Sequence, residues 1–249
     1  MGFNEIAKRS NKTVYREGGL CYKVFSADYN KSDIFNEALN QTRVEETGLF
    51  IPKVHELKKL DDGRLAIVMD YVEGKSLQTL IDENPAKKGE YIKRLVDIQL
   101  SMHKLSAPNL NKQRDKFNGK IDLSGLDATT RYELHVRLDS MPKHNKLCHG
   151  DFNPSNVIIT ADDRACIIDW SHATIGNASA DAARTFLLFK LAGDDKTADD
   201  YLALFCKKSD TARQYIDQWL PIVAASQMVK GKPQERDMLA KWVDVCQYE

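Results

Sequence analysis

Two short apolar runs, Val157-Ile158-Ile159-Thr160 and Ala165-Cys166-Ile167-Ile168, flank a turn-like Ala161-Asp162-Asp163-Arg164. Runs rich in β-branched residues joined by such a turn fold as a hairpin. This one lacks the Asn-Gly or Asp-Gly pair that gives the strongest hairpin signal. A hairpin returns the chain to its starting point, so Asn156 at the entrance and Asp169 at the exit are expected close together. The lead-in to Asn156 is His149-Gly150-Asp151-Phe152-Asn153-Pro154-Ser155. Pro154 fixes its own backbone and disfavours helix at Asn153, which predicts an extended loop.

The polar residues of this segment define a chemistry. Phosphoryl transfer asks little covalent work of a protein: the phosphates are clamped by Mg²⁺ and a lysine, and a base orients the attacking oxygen. Asp151 is the candidate base. Asn156 and Asp169 supply the hard oxygen donors that Mg²⁺ prefers. Asp, Asn and Pro also crowd ordinary turns, but three residues of the required types at fixed offsets, beside two apolar strands, outweigh that alternative.

Composition narrows the setting. With 249 residues, 42% hydrophobic and 29% charged, the chain can bury a substantial core in one large domain or two lobes. Thirty-six basic residues balance thirty-six acidic ones, so no net field favours nucleic acid or an anionic membrane. No apolar stretch approaches the roughly 20 residues needed to span a bilayer, and the polar stretch from Met1 to Lys12 has no signal-peptide character. The five cysteines (21, 148, 166, 206 and 246) are scattered without a Cys-x-x-Cys pair, against a zinc site or disulfide framework. Reduced thiols without a signal point to the cytoplasm, and the oligomeric state is left open.

Along the chain, Thr13–Arg16 and Leu20–Phe25 read as strands about a Glu17-Gly18-Gly19 turn. A helix is expected from Ser32 or Asp33, either able to cap it, to about Glu46, with Gly48 just beyond its end. Ile51–Val54 and Gly63–Met69 read as further strands, and Asp70–Gly74 as a linker. Helices are predicted at 90–104, 128–140, 182–192, 198–207, 211–223 and 233–248. The expected organisation is α+β: residues 1–72 as a small antiparallel-sheet lobe with one helix, and 73–249 as a larger, mainly helical lobe.

With these residues in place, the chain resembles the aminoglycoside phosphotransferase and choline kinase superfamily, which has a protein-kinase-like bilobal fold. The His149–Asn156 stretch looks like that family's catalytic loop, and Ile167-Ile168-Asp169-Trp170 like its metal-binding strand end. The resemblance implies that Lys23 pairs with the α/β-phosphates of ATP or GTP, with Glu37 as its partner and Glu45 or Glu46 as competitors. It implies a hinge at Met69, Asp70, Tyr71 and Val72 whose backbone meets the purine. Gly18 and Gly19 would cover the phosphates, although two adjacent glycines depart from a G-x-G-x-x-G loop. Asp181, also placed to cap the next helix, and His149 would brace the catalytic loop.

The acceptor is read from the segment after Asp169. A protein kinase carries a longer activation segment ending in Ala-Pro-Glu; here only Trp170–Ala180 separates Asp169 from Asp181. A small-molecule hydroxyl is therefore the expected acceptor, with Trp170 and His172 as candidate pocket residues. Aminoglycoside, choline-like, sugar and amino-alcohol acceptors stay open, because the acidic run Asp194, Asp195, Asp199, Asp200 is interleaved with lysines. The alternatives are a protein Ser/Thr kinase and a non-catalytic nucleotide-binding pseudokinase.

Overall fold

The computed structural model describes residues 4–243. The chain forms two compact units. The first comprises the residues up to Asn84 together with Pro154–Ala173, and the second comprises Pro85–Asn153 with the residues from Thr174 onward. The grouping differs from a single cut at residue 72, because strand pairing ties the hairpin to the first unit. Strand Lys75–Ser76 pairs with Val157–Ile159, which pairs in turn with Ala165–Ile167. A Cβ on Gly74 would sit 2.3 Å from the Ile159 carbonyl oxygen, so only glycine permits that approach.

The first unit is built on an antiparallel sheet of β1 (Asn4–Lys8), β2 (Lys12–Glu17), β3 (Leu20–Phe25), β4 (Val54–Lys59) and β5 (Leu65–Asp70), in the order β1-β2-β3-β5-β4. Side chains alternate across a strand, which puts Cys21, Lys23 and Phe25 on one face of β3 and Tyr22 and Val24 on the other. The first face meets helix α1 (Lys31–Glu45): Phe25, Ile67 and Met69 cluster with Ile34 and Ala38 of the helix. Full burial of such side chains contributes about 1.5–3 kcal/mol each, enough to hold α1 against the sheet. Tyr22, Val24, Ala66 and Val68 form a cluster on the opposite face. The cap of α1 is Asn30, which accepts from Ser32 N–H at 2.9 Å, rather than Ser32 or Asp33. A short helix, α2 (Leu77–Glu83), closes the segment.

The second unit is helical: α3 (Lys88–Met102), α4 (Gln113–Asp122), α5 (Ala128–Ser140), α6 (Ala178–Leu191), α7 (Asp195–Ser209), α8 (Arg213–Asp217), α9 (Leu220–Met228) and α10 (Pro233–Trp242). Strands Lys146–Cys148 and Thr174–Gly176 pair antiparallel within it. Helix α6 lies at the centre, packed by α7, α8 and α9, and every residue from Ser179 to Leu187 is buried. A helix buried all round should be apolar, so Asp181, Arg184 and Thr185 inside it need polar partners.

Helix α5 has the bounds read from sequence, whereas the stretch expected as one helix over 211–223 is broken into α8 and α9. The final helix ends at Trp242 with Val243 as its C-cap, and residues 244–248 of its expected span lie outside the described residues. Among the described residues no helix is long and apolar enough to cross a membrane.

Candidate functional site

In the first unit, the face of β3 that meets α1 carries Lys23. Glu37 is on the same side of α1 as Ile34 and Ala38, so the burial that docks the helix also delivers its carboxylate to the lysine. The two form an ion pair with both side chains almost wholly buried. Lys23 Nζ also lies 3.0 Å from Asp169 Oδ1. Burial works against the ammonium, but Asp169 and Glu37 outweigh it and raise the lysine above its ordinary value. Glu45 is committed elsewhere, its Oε1 accepting from Val54 N–H at 2.8 Å.

Asp169 and Asn156 converge as the hairpin requires. Val157 pairs with Ile167, and Ile168 N–H donates to the Asn156 carbonyl at 2.9 Å. Asp169 itself takes a left-handed backbone, φ 65° and ψ 61°, unfavourable for a non-glycine residue and of the kind found where a site dictates geometry. Two further cations reach its Oδ2: Lys12 Nζ at 3.6 Å and Arg9 Nη1 at 3.9 Å. Burial, then the nearness of Lys23, lowers Lys12 to about 8. Arg9, Lys12, Lys23, Asn156 and Asp169 all line one cavity of about 510 Å³ within this unit. Its remaining wall is largely apolar, with Val14, Met69, Ile158 and Ile168 among the lining residues.

The structure relocates several expected residues. Gly18 and Gly19 form the β2–β3 turn and do not line this cavity. The turn that does reach it joins β1 to β2 and contains Arg9, Ser10 and Asn11. Sequence reasoning missed it because β1 is short, polar and fully exposed. Met69, Asp70, Tyr71 and Val72 do line the cavity. Two of their amides are committed within the sheet, Asp70 N–H to Lys53 O at 3.0 Å and Tyr71 N–H to Gly19 O at 2.8 Å. Trp170 is wholly buried, its indole N–H donating to Ile167 O at 3.0 Å. It anchors the turn after Asp169 instead of presenting its ring to an acceptor; His172 closes the same short turn.

In the second unit, strand Lys146–Cys148 delivers the His149-Gly150-Asp151 loop to the start of α6. The cap of α6 is Asn177, which accepts from Ser179 N–H at 2.9 Å, so the capping role expected of Asp181 falls to another residue. Asp181 instead accepts from Gly150 N–H at 2.7 Å and His149 N–H at 3.3 Å. His103 Nε2 at 3.0 Å and Gln99 Nε2 at 3.4 Å complete its shell. Burial opposes ionisation of Asp181, yet His103 and the Gly150 amide override it and hold the carboxyl below its ordinary value. Gly150 has φ +77°, a conformation that favours glycine. His149 is buried, and its Nδ1 accepts from Asp151 N–H at 3.2 Å. No sequence pattern pointed to His103, whose partner is 78 positions away.

Cations surround Asp151 within this unit. Its Oδ1 lies 3.2 Å from Arg184 Nη2 and 3.8 Å from Lys230 Nζ. Lys116 of α4 is lowered to about 7 by burial and by Lys120, Arg184 and Lys230, with Asp151 acting in the opposite direction. Burial and Arg184 likewise lower Lys230. No single stretch of sequence contains this group; α4, α6 and the turn after α9 assemble it.

Comparison with known proteins adds a family. The sequence profile described as the phosphotransferase enzyme family matches residues 3–217. No curated protein matches the chain by sequence. Among solved structures, a thermostable mutant of aminoglycoside phosphotransferase APH(4)-Ia, in ternary complex with ADP and hygromycin B, is 14% identical with a TM-score of 0.71, over 97% of this chain and 90% of that one. Aminoglycoside-3'-phosphotransferase of type VIII is 18% identical with a TM-score of 0.64, over 92% and 93%. Choline kinase LicA from Streptococcus pneumoniae is 14% identical with a TM-score of 0.63, over 100% and 94%. At these identities the likeness is one of fold.

Proposed function

The chain belongs to the phosphotransferase enzyme family, and from that premise we propose that it moves the γ-phosphoryl group of ATP to a hydroxyl of a small molecule, with Mg²⁺, in the cytoplasm. The observation that carries the reading is the convergence of Lys23, Lys12, Arg9, Asn156 and Asp169 on one cavity with an otherwise largely apolar wall. A nucleotide has that division of character: a base for apolar walls and a polyphosphate for the cations.

The donor set suits magnesium. Asn156 and Asp169 offer hard oxygens held in register by the hairpin, as Mg²⁺ prefers. Three cationic side chains, Arg9, Lys12 and Lys23, gather where Glu37 and Asp169 supply two carboxylates. A polyphosphate with its metal balances that excess. Asn156 and Asp169 would hold the Mg²⁺, which would supply charge neutralisation for the transferred phosphoryl group.

In the proposed reaction Lys23 holds the α/β-phosphates, and Glu37 fixes the lysine's position. Asp151 orients the acceptor hydroxyl and receives its proton as the hydroxyl oxygen bonds to the γ-phosphorus. The bond from that phosphorus to the β–γ bridging oxygen breaks, leaving ADP. Asp181 braces the loop through the amides of His149 and Gly150, a positioning role. A small acceptor is supported by the segment after Asp169. It is a short turn at Trp170–His172, a strand at Thr174–Gly176 and the start of α6 at Ala178, with few residues between them.

The test is ADP release over a panel of hydroxylated acceptors, with Asp151→Asn as the blank. The expected result is turnover on a cognate acceptor that falls about a thousandfold in the variant, with nucleotide affinity retained. Undiminished turnover in Asp151→Asn would remove the proposed base.

A further inference from the structure

Resting on that phosphotransfer reading, we propose that the acceptor is an anion: a small hydroxylated molecule bearing a carboxylate or phosphate group, held by Arg184 and Lys230. The proposed base sits among these side chains. Arg184 and Lys230 lie 3.2 and 3.8 Å from Asp151 Oδ1, and after burial the charges of Lys120, Arg184 and Lys230 act to lower Lys116 of α4. They come from α6, α4 and the turn after α9, so the cluster is not a by-product of one helix face. Lys120 and Lys232 add to it. Glu235, a carboxylate that acts on Lys230 and is acted on by Arg184, is engaged by Lys232 at 2.8 Å and by Gln227 Nε2 at 2.5 Å.

An amine-bearing acceptor would have to bring its ammonium against Arg184 and Lys230 to place a hydroxyl at Asp151, and like charges at that range repel. The acidic run of Asp194, Asp195, Asp199 and Asp200 is already matched within its own unit. Asp194 pairs with Lys88, Asp195 with Lys190, Asp199 with Lys190 and Arg213, and Asp200 with Lys196. The nucleotide phosphates have their own cations in the first unit, which leaves this second set for the acceptor.

The test uses the full chain with Mg²⁺ and ATP and three matched acceptor sets in an ADP-release assay. One set bears amines (aminoglycosides, choline, ethanolamine), one is neutral (sugars, polyols), and one is anionic (hydroxy acids, sugar acids, sugar phosphates). The anionic arm separates carboxylate from phosphate recognition. We expect kcat/KM about tenfold or more higher for an anionic acceptor than for its neutral analogue, expressed in KM, as a charge-assisted contact supplies. Lys230→Met should raise that KM about tenfold, and Lys230→Arg should restore it. Preference for amine-bearing or neutral acceptors would overturn the inference while leaving phosphotransfer standing. A fall in kcat at unchanged KM for all three sets would assign these cations to the transferred phosphoryl group, and overturns it too. ADP release on no acceptor, with nucleotide still bound, would overturn the phosphotransfer reading itself and the inference with it.

Discussion

Lys23 Nζ and Asp169 Oδ1 stand 3.0 Å apart although 146 positions separate them in the chain. The contact ties the central strand of the sheet to the end of the hairpin, and Glu37 of α1 closes it from the other side. A strand lysine, a helix carboxylate and a hairpin aspartate thus form one buried electrostatic unit, each delivered by a different element.

Removing the lysine should therefore cost both stability and turnover. Lys23→Met leaves Glu37 and Asp169 buried without their shared cation, and breaking a buried pair in this way costs about 3–5 kcal/mol. Turnover should fall about a hundredfold or more through loss of the phosphate contact. The double variant Lys23→Met/Glu37→Gln removes one stranded charge, so it should recover part of the thermal stability and none of the activity. Calorimetry with steady-state kinetics reads both. Recovery of activity in the double variant would show that the lysine acts only through folding.

The β1–β2 turn makes a second prediction. Arg9 and Lys12 line the cavity of Lys23 and Asp169, while Gly18 and Gly19 do not. Lys12→Met should raise the KM for ATP about tenfold, as expected for a lost charge-assisted contact. Gly19→Ala should leave that KM within about twofold. The opposite ranking would return phosphate binding to the glycine turn.

The readable parts of this molecule share a physical character. Asn156 and Asp169 could be placed together because one hairpin holds both, whereas the pairing of Lys23 with Glu37 was implied by the family resemblance and not by any local pattern. Helix α5 was legible from its own short stretch of sequence. Helix α4 was missed because Gln113–Asp122 is mostly polar and has Gly119 inside it. Strand β1 lacks any apolar alternation, and Arg9 and Lys12 went unrecognised with it. Arg184, Lys116 and Lys230 gain meaning only from convergence in three dimensions, which local patterns do not encode. The Asp181–His103 contact is hidden for the same reason.

Asp181 offers a stability test with a defined sign. Its carboxylate accepts from the Gly150 and His149 amides, His103 and Gln99. Asp181→Ala strands these donors and should cost about 3–5 kcal/mol. The folded-state carboxyl is held below its ordinary value, chiefly by His103 once burial is overcome. The unfolded chain therefore binds more protons below the ordinary aspartate value of about 3.9. The contribution is fully present above that pH and is lost as pH falls through the folded value. Urea unfolding of Asp181→Asn across acid pH should show a shallower loss than the parent; equal slopes would remove Asp181 as the acid-sensitive group.

Lys116 makes acceptor binding pH-dependent near neutrality. Burial first, and then Lys120 on its own helix, Arg184 of α6 and Lys230 beyond α9, lower it to about 7 against the pull of Asp151. In the free protein it is charged below that pH and neutral above it. A carboxylate acceptor stays ionised throughout, so its attraction to Lys116 fades as pH rises through 7. KM for such an acceptor should be low at about pH 6 and rise severalfold by about pH 8, while a neutral acceptor shows no matching step. Lys116→Met should flatten the profile at the high-pH level, because the charge is then missing at every pH. A profile for the carboxylate acceptor that Lys116→Met leaves unchanged would take the lysine out of acceptor binding.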